Sequence, residues 1–528
     1  MKQHIFFLSA ALLTTMTACN DWLEETSPGK TKLEDYFTSG EAAVQNVTAD
    51  YAPLSWEFNN TYYSEWFIGD ICSDDALKGG QNTNDMADAY DMENWKTQTN
   101  NGLLLDYFRA QYQGVARCNQ TLKYVAEMPT DETLTLPLRN RVLAEAHFLR
   151  AYYYFRLVRV FGGVPLVDFV VEGDDQWLQP RASKEAVYEL IIDDLKQAQA
   201  HLPEKSDYAD ADMGRATKGA AEAMLLKVNL YAQNWEAAKQ WGDSIISKGH
   251  YSLCPNYVDN FTLKGENGPE SVFEIQYCED PTSDYGEGNG FTRGTFTLVM
   301  TRSRSSVIGN KLGSGWGFNH PTQNLYDEFE SGDARRDVTI LTPTDEEIEN
   351  PSQEIYLGSR YVSRKYALYS FEKNEDSDEV TGSLHATRGP LNNKQIRYAD
   401  VLLMYAEACA ELGKDAEATE KLNMVRERAG MPTYPGYTYK VNGTEVTNPS
   451  LRDAIRHERR VELAMEGHRW FDICRWGIAK EVMDAYKATE CSEARDQMAE
   501  FIKGKHELFP IPSDEMDLNP LMEQNPGY

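Results

Sequence analysis

The stretch Ala144-Glu-Ala-His-Phe-Leu-Arg-Ala-Tyr-Tyr-Tyr-Phe155 runs without a helix breaker to Phe161, where Gly162-Gly163-Val164-Pro165 follows. The apolar residues between Val142 and Val160 recur at the three- and four-residue spacing of one helix face. The glycine pair ends the helix, and Pro165 prevents it from restarting. With Pro137 at its start, the sequence predicts one long helix that runs from about Arg139 to Phe161.

Further helical patterns surround this stretch. They cover residues 104–125, a segment from Ser183 to near Pro203, and two pairs with very short turns at 217–233 with 235–248 and at 395–412 with 415–429. Both pairs place alanines where helices would touch and tyrosines where gaps would need filling, which is the logic of tetratricopeptide repeats. We therefore expect a mainly α protein with tetratricopeptide-like helix pairs; generic antiparallel pairs are the alternative.

Two blocks, residues 49–103 and 250–394, lack a sustained helical period and are rich in Gly, Asn, Asp and Ser. Residues 272–275 are the best candidate for a short strand. The helical blocks 104–249 and 395–528 enclose the second loop-rich block in sequence. We therefore predict one interleaved body over residues 49–528, with the long loops serving as binding regions.

The chain has 528 residues and a formal net charge of −31. This charge argues against a nucleic-acid partner, since neutralising phosphates requires a basic face. It also argues against electrostatic docking to an anionic membrane.

The N-terminus has the pattern of an export signal. Lys2 precedes the apolar run Ile5–Leu13, which is too short to span a bilayer. Met16-Thr17-Ala18-Cys19 resembles a bacterial lipobox, with Met in place of the usual Leu. We therefore predict a signal peptide over residues 1–18, lipid attachment at Cys19 and a tether over residues 19–48. An ordinary secretory signal is the alternative.

The sequence contains no convincing catalytic motif. HExxH, GxSxG and a complete P-loop are missing. His457 and His468 lie among arginines, which favours surface or ion-pair roles over metal binding. We therefore predict that the chain is not an enzyme and needs no cofactor or metal.

Aromatic residues concentrate in the first loop-rich block. Nine of the 45 residues from Tyr51 to Trp95 are aromatic, against 11% of the whole chain. Aromatic rings can lie flat on the C–H face of a pyranose while nearby polar groups bond its hydroxyls, although most of these rings would be expected to fill the core under the loops. A second group, Trp316 with Phe318 and Asn319, lies on a Gly-rich loop.

Several blocks of the sequence resemble the SusD/RagB family of nutrient-binding surface lipoproteins. The matching blocks, in the family's order, are Ala144–Phe155 with Phe161–Pro165, Arg397–Ala408 with Leu422–Arg426, Glu458–Asp472 with Arg475–Gly477, and Pro510–Pro512 with Gln524–Tyr528. With Cys19, they span nearly the whole chain.

The resemblance implies a fold with four tetratricopeptide-like units that supports variable loops. It also implies a lipid-anchored protein at the outer-membrane surface that caps a SusC-like TonB-dependent transporter. Since the family includes glycan binders and peptide binders, the loop aromatics favour an oligosaccharide or polysaccharide as the ligand, delivered without bond cleavage. A peptide-binding RagB-like member, an outer-membrane glycoside hydrolase and a tetratricopeptide assembly scaffold are the alternatives.

The resemblance implies only the regions of a ligand site, because no motif fixes its residues. Trp95 and Trp316 occupy the comparable loops. The remaining candidates are Asp74, Asp75, Lys78 and Asn94 as hydroxyl partners, and Trp66, Tyr90, Phe318 and Asn319 beside them.

Overall fold

The structure is a computed structural model that describes residues 36–57, 65–173, 176–278, 294–304, 315–344, 357, 359–366, 368, 389–441 and 443–528. Helices dominate these residues, as predicted. They are α1 Gly40–Tyr51, α2 Trp66–Gly69, α3 Ala87–Glu93, α4 Gly102–Gln120, α5 Leu136–Phe161, α6 Lys184–His201, α7 Lys218–Tyr231, α8 Trp235–Ser247, α9 Thr297–Thr301, α10 Gln323–Glu328, α11 Arg335–Thr339, α12 Tyr398–Glu411, α13 Asp415–Arg428, α14 Leu451–Glu462, α15 Arg469–Arg475, α16 Ala479–Thr489, α17 Ser492–Arg495 and α18 Ser513–Leu518.

Helix α5 is the central element, and the prediction for it is confirmed apart from its start. It begins at Leu136 because the Thr135 side chain accepts a hydrogen bond from the Leu138 amide and caps the first turn. It ends at Phe161, because the next residue, Gly162, has a φ of 75° that is costly for other residues. Most of its residues from Ala144 onward are buried, and the helix packs against α1, α4 and α6.

The two predicted helix pairs are α7 with α8 and α12 with α13. Small residues do lie where helices meet: an added Cβ on Gly242 of α8 would come within 2.4 Å of the Tyr405 ring of α12. Gly114 of α4 lies equally close to the Tyr153 ring of α5. The predicted start of α12 is wrong, since residues 395–397 lie in a strand.

The strands form short antiparallel ribbons. They are β1 Ala76–Gly79 with β3 Phe318–Pro321, β2 Ser271–Ile275 with β6 Asn393–Arg397, β4 Ile340–Leu341 with β5 Val362–Ser363, and β7 Thr438–Val441 with β8 Thr444–Thr447. Strand β2 confirms the prediction for residues 272–275. Ribbon β1–β3 joins the two loop-rich blocks, and ribbon β2–β6 joins the second block to the helical scaffold.

A buried network of charges ties α14 to its surroundings. Arg397 of β6 bonds the carboxylates of Glu270, Glu462 and Glu466, and all four side chains are about 1% exposed or less. Arg459 likewise pairs with Asp400 and Asp472. This network therefore joins α14 to elements that lie far from it in the chain.

Within the part of the chain that the structure describes, no helix has the length and apolarity needed to cross a bilayer. The division of the chain into a signal peptide over residues 1–18, a tether over residues 19–48 and a body over residues 49–528 stays a prediction.

Candidate functional site

The two loop-rich blocks meet at ribbon β1–β3. Ala76 lies opposite Pro321 and Gly79 opposite Phe318. Just beyond the ribbon, Thr322 donates its amide to the Asp75 carbonyl at 2.9 Å and its hydroxyl to the Asp74 carbonyl at 2.7 Å. The structure thus brings together the two regions in which the sequence placed candidate ligand residues. We call this region the loop face.

Asp74 and Asp75, predicted to bond ligand hydroxyls, lie beneath the loop face and are at most 1% exposed. Asp74 pairs with Arg469 at 2.8 Å and with Arg460, which also pairs with Asp75. Burial acts to raise the pKa of the Asp74 carboxyl, but the charges of Arg460 and Arg469 hold it below its ordinary value. The role that the structure shows for both aspartates is therefore to anchor the loop to α14 and α15.

Lys78 is also buried, and its ammonium organises the loop that follows β1. It donates to the carbonyl oxygens of Gly79 at 2.8 Å and Asn82 at 3.0 Å, and to that of Asp85. Burial lowers the pKa of Lys78 to about 8, against the opposing charges of Glu93 and Asp85. The ammonium thus serves as an internal cation for the loop.

Most of the other candidates fill the core. Asn94 is 1% exposed and donates to the Tyr90 carbonyl at 2.8 Å. Trp66 stacks on Phe67 and donates to the Thr297 hydroxyl at 3.2 Å. Three further candidates are also buried: Trp95 is 6% exposed, Phe318 2% and Asn319 2%. To contact a ligand, these side chains would have to leave the core. Their role in ligand binding stays a prediction.

Trp316 and Tyr90 are the candidates that remain partly exposed. The backbone of Trp316 is fixed, since its amide donates to the Val299 carbonyl at 2.8 Å. Its ring centroid lies 6.0 Å from that of Phe296. Tyr90 bonds Gln497 through its hydroxyl, and the Lys96 ammonium lies 5.6 Å from its ring centroid. Both rings are therefore held in place while part of each stays accessible.

Sequence reasoning missed the groups that hold this face in position. Buried Glu57 accepts hydrogen bonds from the Thr295 hydroxyl at 2.7 Å and from the amide and hydroxyl of Thr297 at the start of α9. It thereby joins the first loop-rich block to α9, whose Val299 carbonyl accepts the hydrogen bond from the Trp316 amide. A lone glutamate among aromatic residues gave no signal for this role.

Asp70 is a second positioning residue. Its carboxylate accepts from Asn319 at 3.1 Å and from the Gly467 amide at 2.9 Å, so it links β3 to the turn before α15. Burial raises the pKa of Asp70 to about 7, although both hydrogen bonds oppose the rise. The folded protein therefore holds this proton at pH values where the unfolded chain releases it.

We expect the Asp70→Asn variant to have a flatter dependence of stability on pH. Because the folded pKa is raised, the wild type loses stability as pH rises from about 4 to about 7, by roughly 3 kcal/mol from this group. An asparagine keeps both contacts if Asn319 turns its amide, since the buried Asn319 Oδ1 has no hydrogen-bond partner among the described residues. Melting temperatures measured from pH 4 to 8 would show the variant gaining on the wild type towards pH 8; parallel profiles would contradict this role.

A cleft lies away from the loop face. Its volume is about 680 Å³, and it is bordered by α5, α6, the end of α7 and α15. Its buried floor includes Tyr188 and Phe471, with the Arg159 guanidinium covering the Phe471 ring at 4.1 Å. The Lys184 ammonium lies 5.6 Å from the Tyr188 ring centroid, so a cation already lies over each of these two rings.

His457 and His468 are both buried rather than exposed. His457 bonds Glu328 and Glu330, which confirms an ion-pair role. Among the described residues, no cluster of His, Cys, Asp and Glu is suited to hold a metal ion. The predicted lipid-attachment residue Cys19 lies outside these residues.

Two family models match the chain in succession. Residues 21–230 match the model described as starch-binding associating with outer membrane, and residues 269–528 match the model of the SusD family. Together with the helical architecture, these matches show the class: the chain belongs to the SusD/RagB family. Members of this family are binding proteins and not enzymes, and the family is associated with the outer membrane.

Individual relatives extend this similarity over the whole length. SusD-like protein P2 of Formosa agariphila is 27% identical, over 100% of both chains. The starch-binding protein SusD of Bacteroides thetaiotaomicron is 25% identical, over 80% of this chain and 78% of its own. A solved structure of a laminarin-binding SusD-like protein is 29% identical with a TM-score of 0.77, covering 93% of this chain and 100% of its own.

Proposed function

We propose that the chain is a cell-surface lipoprotein that captures oligosaccharides or polysaccharides and delivers them to a SusC-like TonB-dependent transporter. The similarity to a laminarin-binding protein over 93% of the chain carries the ligand class. The starch-binding relative supports the same class. Laminarin and starch are therefore the first glycans to test.

The loop face supports this proposal in its chemistry. Trp316 presents part of an indole ring from a backbone that is already fixed, so little conformational entropy is lost when a sugar stacks on it. Tyr90 offers a second accessible ring, tethered through its hydroxyl. Binding a neutral sugar does not require positive charge on the protein. A neutral ligand is therefore compatible with the net charge of −31 on this chain.

We propose that a lipid on Cys19 attaches the protein to the membrane. Several acyl chains hold a protein stably where one does not. A lipid anchor fits the finding that none of the described helices could cross a bilayer. The transporter then receives the glycan from the lipoprotein.

Replacing Trp316 with alanine tests the proposed ligand face. Losing about 50 Å² of apolar stacking surface at roughly 25 cal/mol per Å² costs about 1.3 kcal/mol, or about a tenfold loss of affinity. Affinity electrophoresis in gels that contain laminarin, starch or other soluble polysaccharides would measure this as lost retardation.

Trp177→Ala is the matched control, because Trp177 is 67% exposed and lies on a different segment. Its retardation should equal that of the wild type. Equal retardation of the Trp316→Ala variant would place the ligand elsewhere, and binding to peptides without binding to any glycan would favour a RagB-like role.

A further inference from the structure

Both ring nitrogens of His457 in α14 face carboxylate oxygens. Nδ1 lies 2.8 Å from Glu328 Oε1, and Nε2 lies 3.1 Å from Glu330 Oε1. A neutral imidazole has one N–H group and can donate only one of these two hydrogen bonds, whereas an imidazolium can donate both. The residue is 3% exposed. The geometry therefore matches an imidazolium held between two carboxylates.

The two carboxylates have no proton to donate in return. The Arg460 guanidinium donates to Glu328 at 2.9 Å, and that of Arg426 donates to Glu330 at 2.8 Å. Burial acts to raise the pKa of Glu328, but the charge of Arg460 and the bond to His457 hold it below its ordinary value. Burial acts in the same way on Glu330, whose pKa is held low by hydrogen bonds from His457 and Arg426. Both acceptors are therefore ionised, and both bonds depend on protons that the ring carries.

The surroundings of the ring favour its charged form. Tyr439 of β7 stacks on the imidazole with 3.8 Å between the ring centroids, and an aromatic face attracts a cation. Burial acts to lower the pKa of His457, but hydrogen bonds to Glu328 and Glu330 raise it above its ordinary value.

The other charged and titratable groups around the ring belong to three more places in the fold. Arg426 lies on α13, and Tyr437 just before β7, with its ring centroid 6.2 Å from that of His457. On α14 itself, Glu458 and Arg460 follow His457, and Glu458 is paired with Arg335 of α11. Each anion in this set thus has a cation beside it, and the imidazolium is one of those cations.

These bonds fasten the chain that carries Trp316 to α14. Strand β3 and helix α10 follow Trp316 closely, and Glu328 is the last residue of α10. One turn after His457, Arg460 pairs at 2.8 Å with Asp75, which lies in the other loop-rich block. His457 and Arg460 share Glu328, so the bond from His457 belongs to the network that holds the loop face on α14.

We propose that His457 is a proton-dependent clamp on the loop face. With both ring nitrogens protonated it holds α10 on α14, and loss of one proton loosens the clamp and weakens glycan capture. This inference rests on the proposed glycan-binding function and adds its control by pH. After the proton is lost, one carboxylate faces a nitrogen lone pair where it had a charge-assisted hydrogen bond.

The direction of the effect follows from the raised pKa of His457. Below about pH 6.5 the ring is protonated in both the folded and the unfolded chain, and the clamp contributes its full stability. As pH rises through the pKa of the folded state, this contribution is lost. Capture should therefore weaken towards alkaline pH.

The first test follows the ring nitrogens directly, by nuclear magnetic resonance of the full chain labelled with ¹⁵N-histidine. The His457 signals are those that disappear in the His457→Gln variant. Their titration midpoint should lie above the ordinary value of about 6.5, with both nitrogens protonated below it. Glu330→Gln removes one acceptor charge and leaves the ring in place, so it should lower this midpoint.

Two pH profiles measure the consequence. From pH 7 to pH 9 the wild type should lose about 2 °C more in melting temperature than His457→Gln, because the variant has no proton to lose at this position. Retardation of the wild type in the glycan gel that retards it at pH 7 should weaken over the same range, and that of His457→Gln should change less. Comparing the two proteins cancels groups that titrate elsewhere, such as Asp70 and Lys78.

His506→Gln is the matched control. The His506 ring accepts a hydrogen bond from the Ile502 amide at 3.0 Å, and burial lowers the pKa of His506 to about 4. The folded protein therefore holds this ring neutral from pH 7 to pH 9, and the profile of the variant should run parallel to that of the wild type.

A titration midpoint of His457 at or below about 6.5, or parallel melting profiles of His457→Gln and the wild type, would overturn the clamp and leave glycan capture intact. Constant glycan retardation of the wild type from pH 7 to pH 9 would overturn its control of capture. Absence of retardation at every pH would overturn the proposed function and, with it, this inference.

Discussion

Arg397→Met is expected to destabilise the protein by about 3–5 kcal/mol, the cost of breaking a buried ion pair by removing one partner. Arg397 is 1% exposed and bonds Glu466 through two nitrogens, each at 2.8 Å, as well as Glu462 at 3.0 Å and Glu270. Methionine fills similar space but leaves these carboxylates with less compensating charge. Urea unfolding of both proteins, followed by intrinsic fluorescence, measures the loss.

Arg452→Met is the matched control for this substitution. Arg452 pairs with Glu411 at 2.9 Å, but its side chain is 56% exposed, so the pair contributes less than about 1 kcal/mol. We expect this variant to unfold close to the wild type. An Arg397→Met variant that also unfolds within 1 kcal/mol of the wild type would show that the buried network does not hold ribbon β2–β6 to α14.

Gly69→Ala is expected to cost about 3 kcal/mol or more, at or above the upper end for inserting a methyl group into a packed site. A Cβ at this position would lie 2.0 Å from the Gly467 carbonyl oxygen and 2.2 Å from its carbon, and backbone cannot move aside as a side chain can. The neighbouring Asp70 holds the same turn through the Gly467 amide. The variant should therefore lose stability and, since this contact supports the loop face, glycan retardation as well.

The control for Gly69→Ala is Gly102→Ala at the start of α4. The nearest atom to an added Cβ there is the Asp88 Oδ2, at 2.9 Å, and if this carboxylate turns away only the hydrogen bond that it accepts from the Gly102 amide is lost, at a cost of about 1 kcal/mol. We expect a change within about 1 kcal/mol. Equal melting temperatures for Gly69→Ala and the wild type would contradict the close approach of the two backbones.

The scaffold was predictable because its signals are local. The periodic apolar residues of α5 and its glycine end lie within one stretch, and both appear in the structure, although the helix begins at Leu136 and not near Arg139. The start of α12 was mispredicted for the opposite reason: the helical pattern of residues 395–397 is overridden by pairing with β2, more than a hundred residues earlier.

The candidate site was harder to predict because its residues depend on distant partners. The local sequence around Asp74 suggests a side chain that bonds the hydroxyls of a ligand. Its actual partner, Arg469, lies 395 positions away. Trp66 similarly meets Thr297 across 231 positions. Aromatic residues in long loops either fill the core or stay accessible, and only the folded structure separates the partly exposed Trp316 and Tyr90 from the buried rest.

Glycan capture is tested by the mobility of the wild-type protein in native gels that contain laminarin or starch. We expect retardation in at least one glycan gel, loss of that retardation with Trp316→Ala and not with Trp177→Ala, and no shortening of the polysaccharide. Unchanged mobility in every glycan gel, or retardation accompanied by shortened chains, would contradict a glycan-capturing protein.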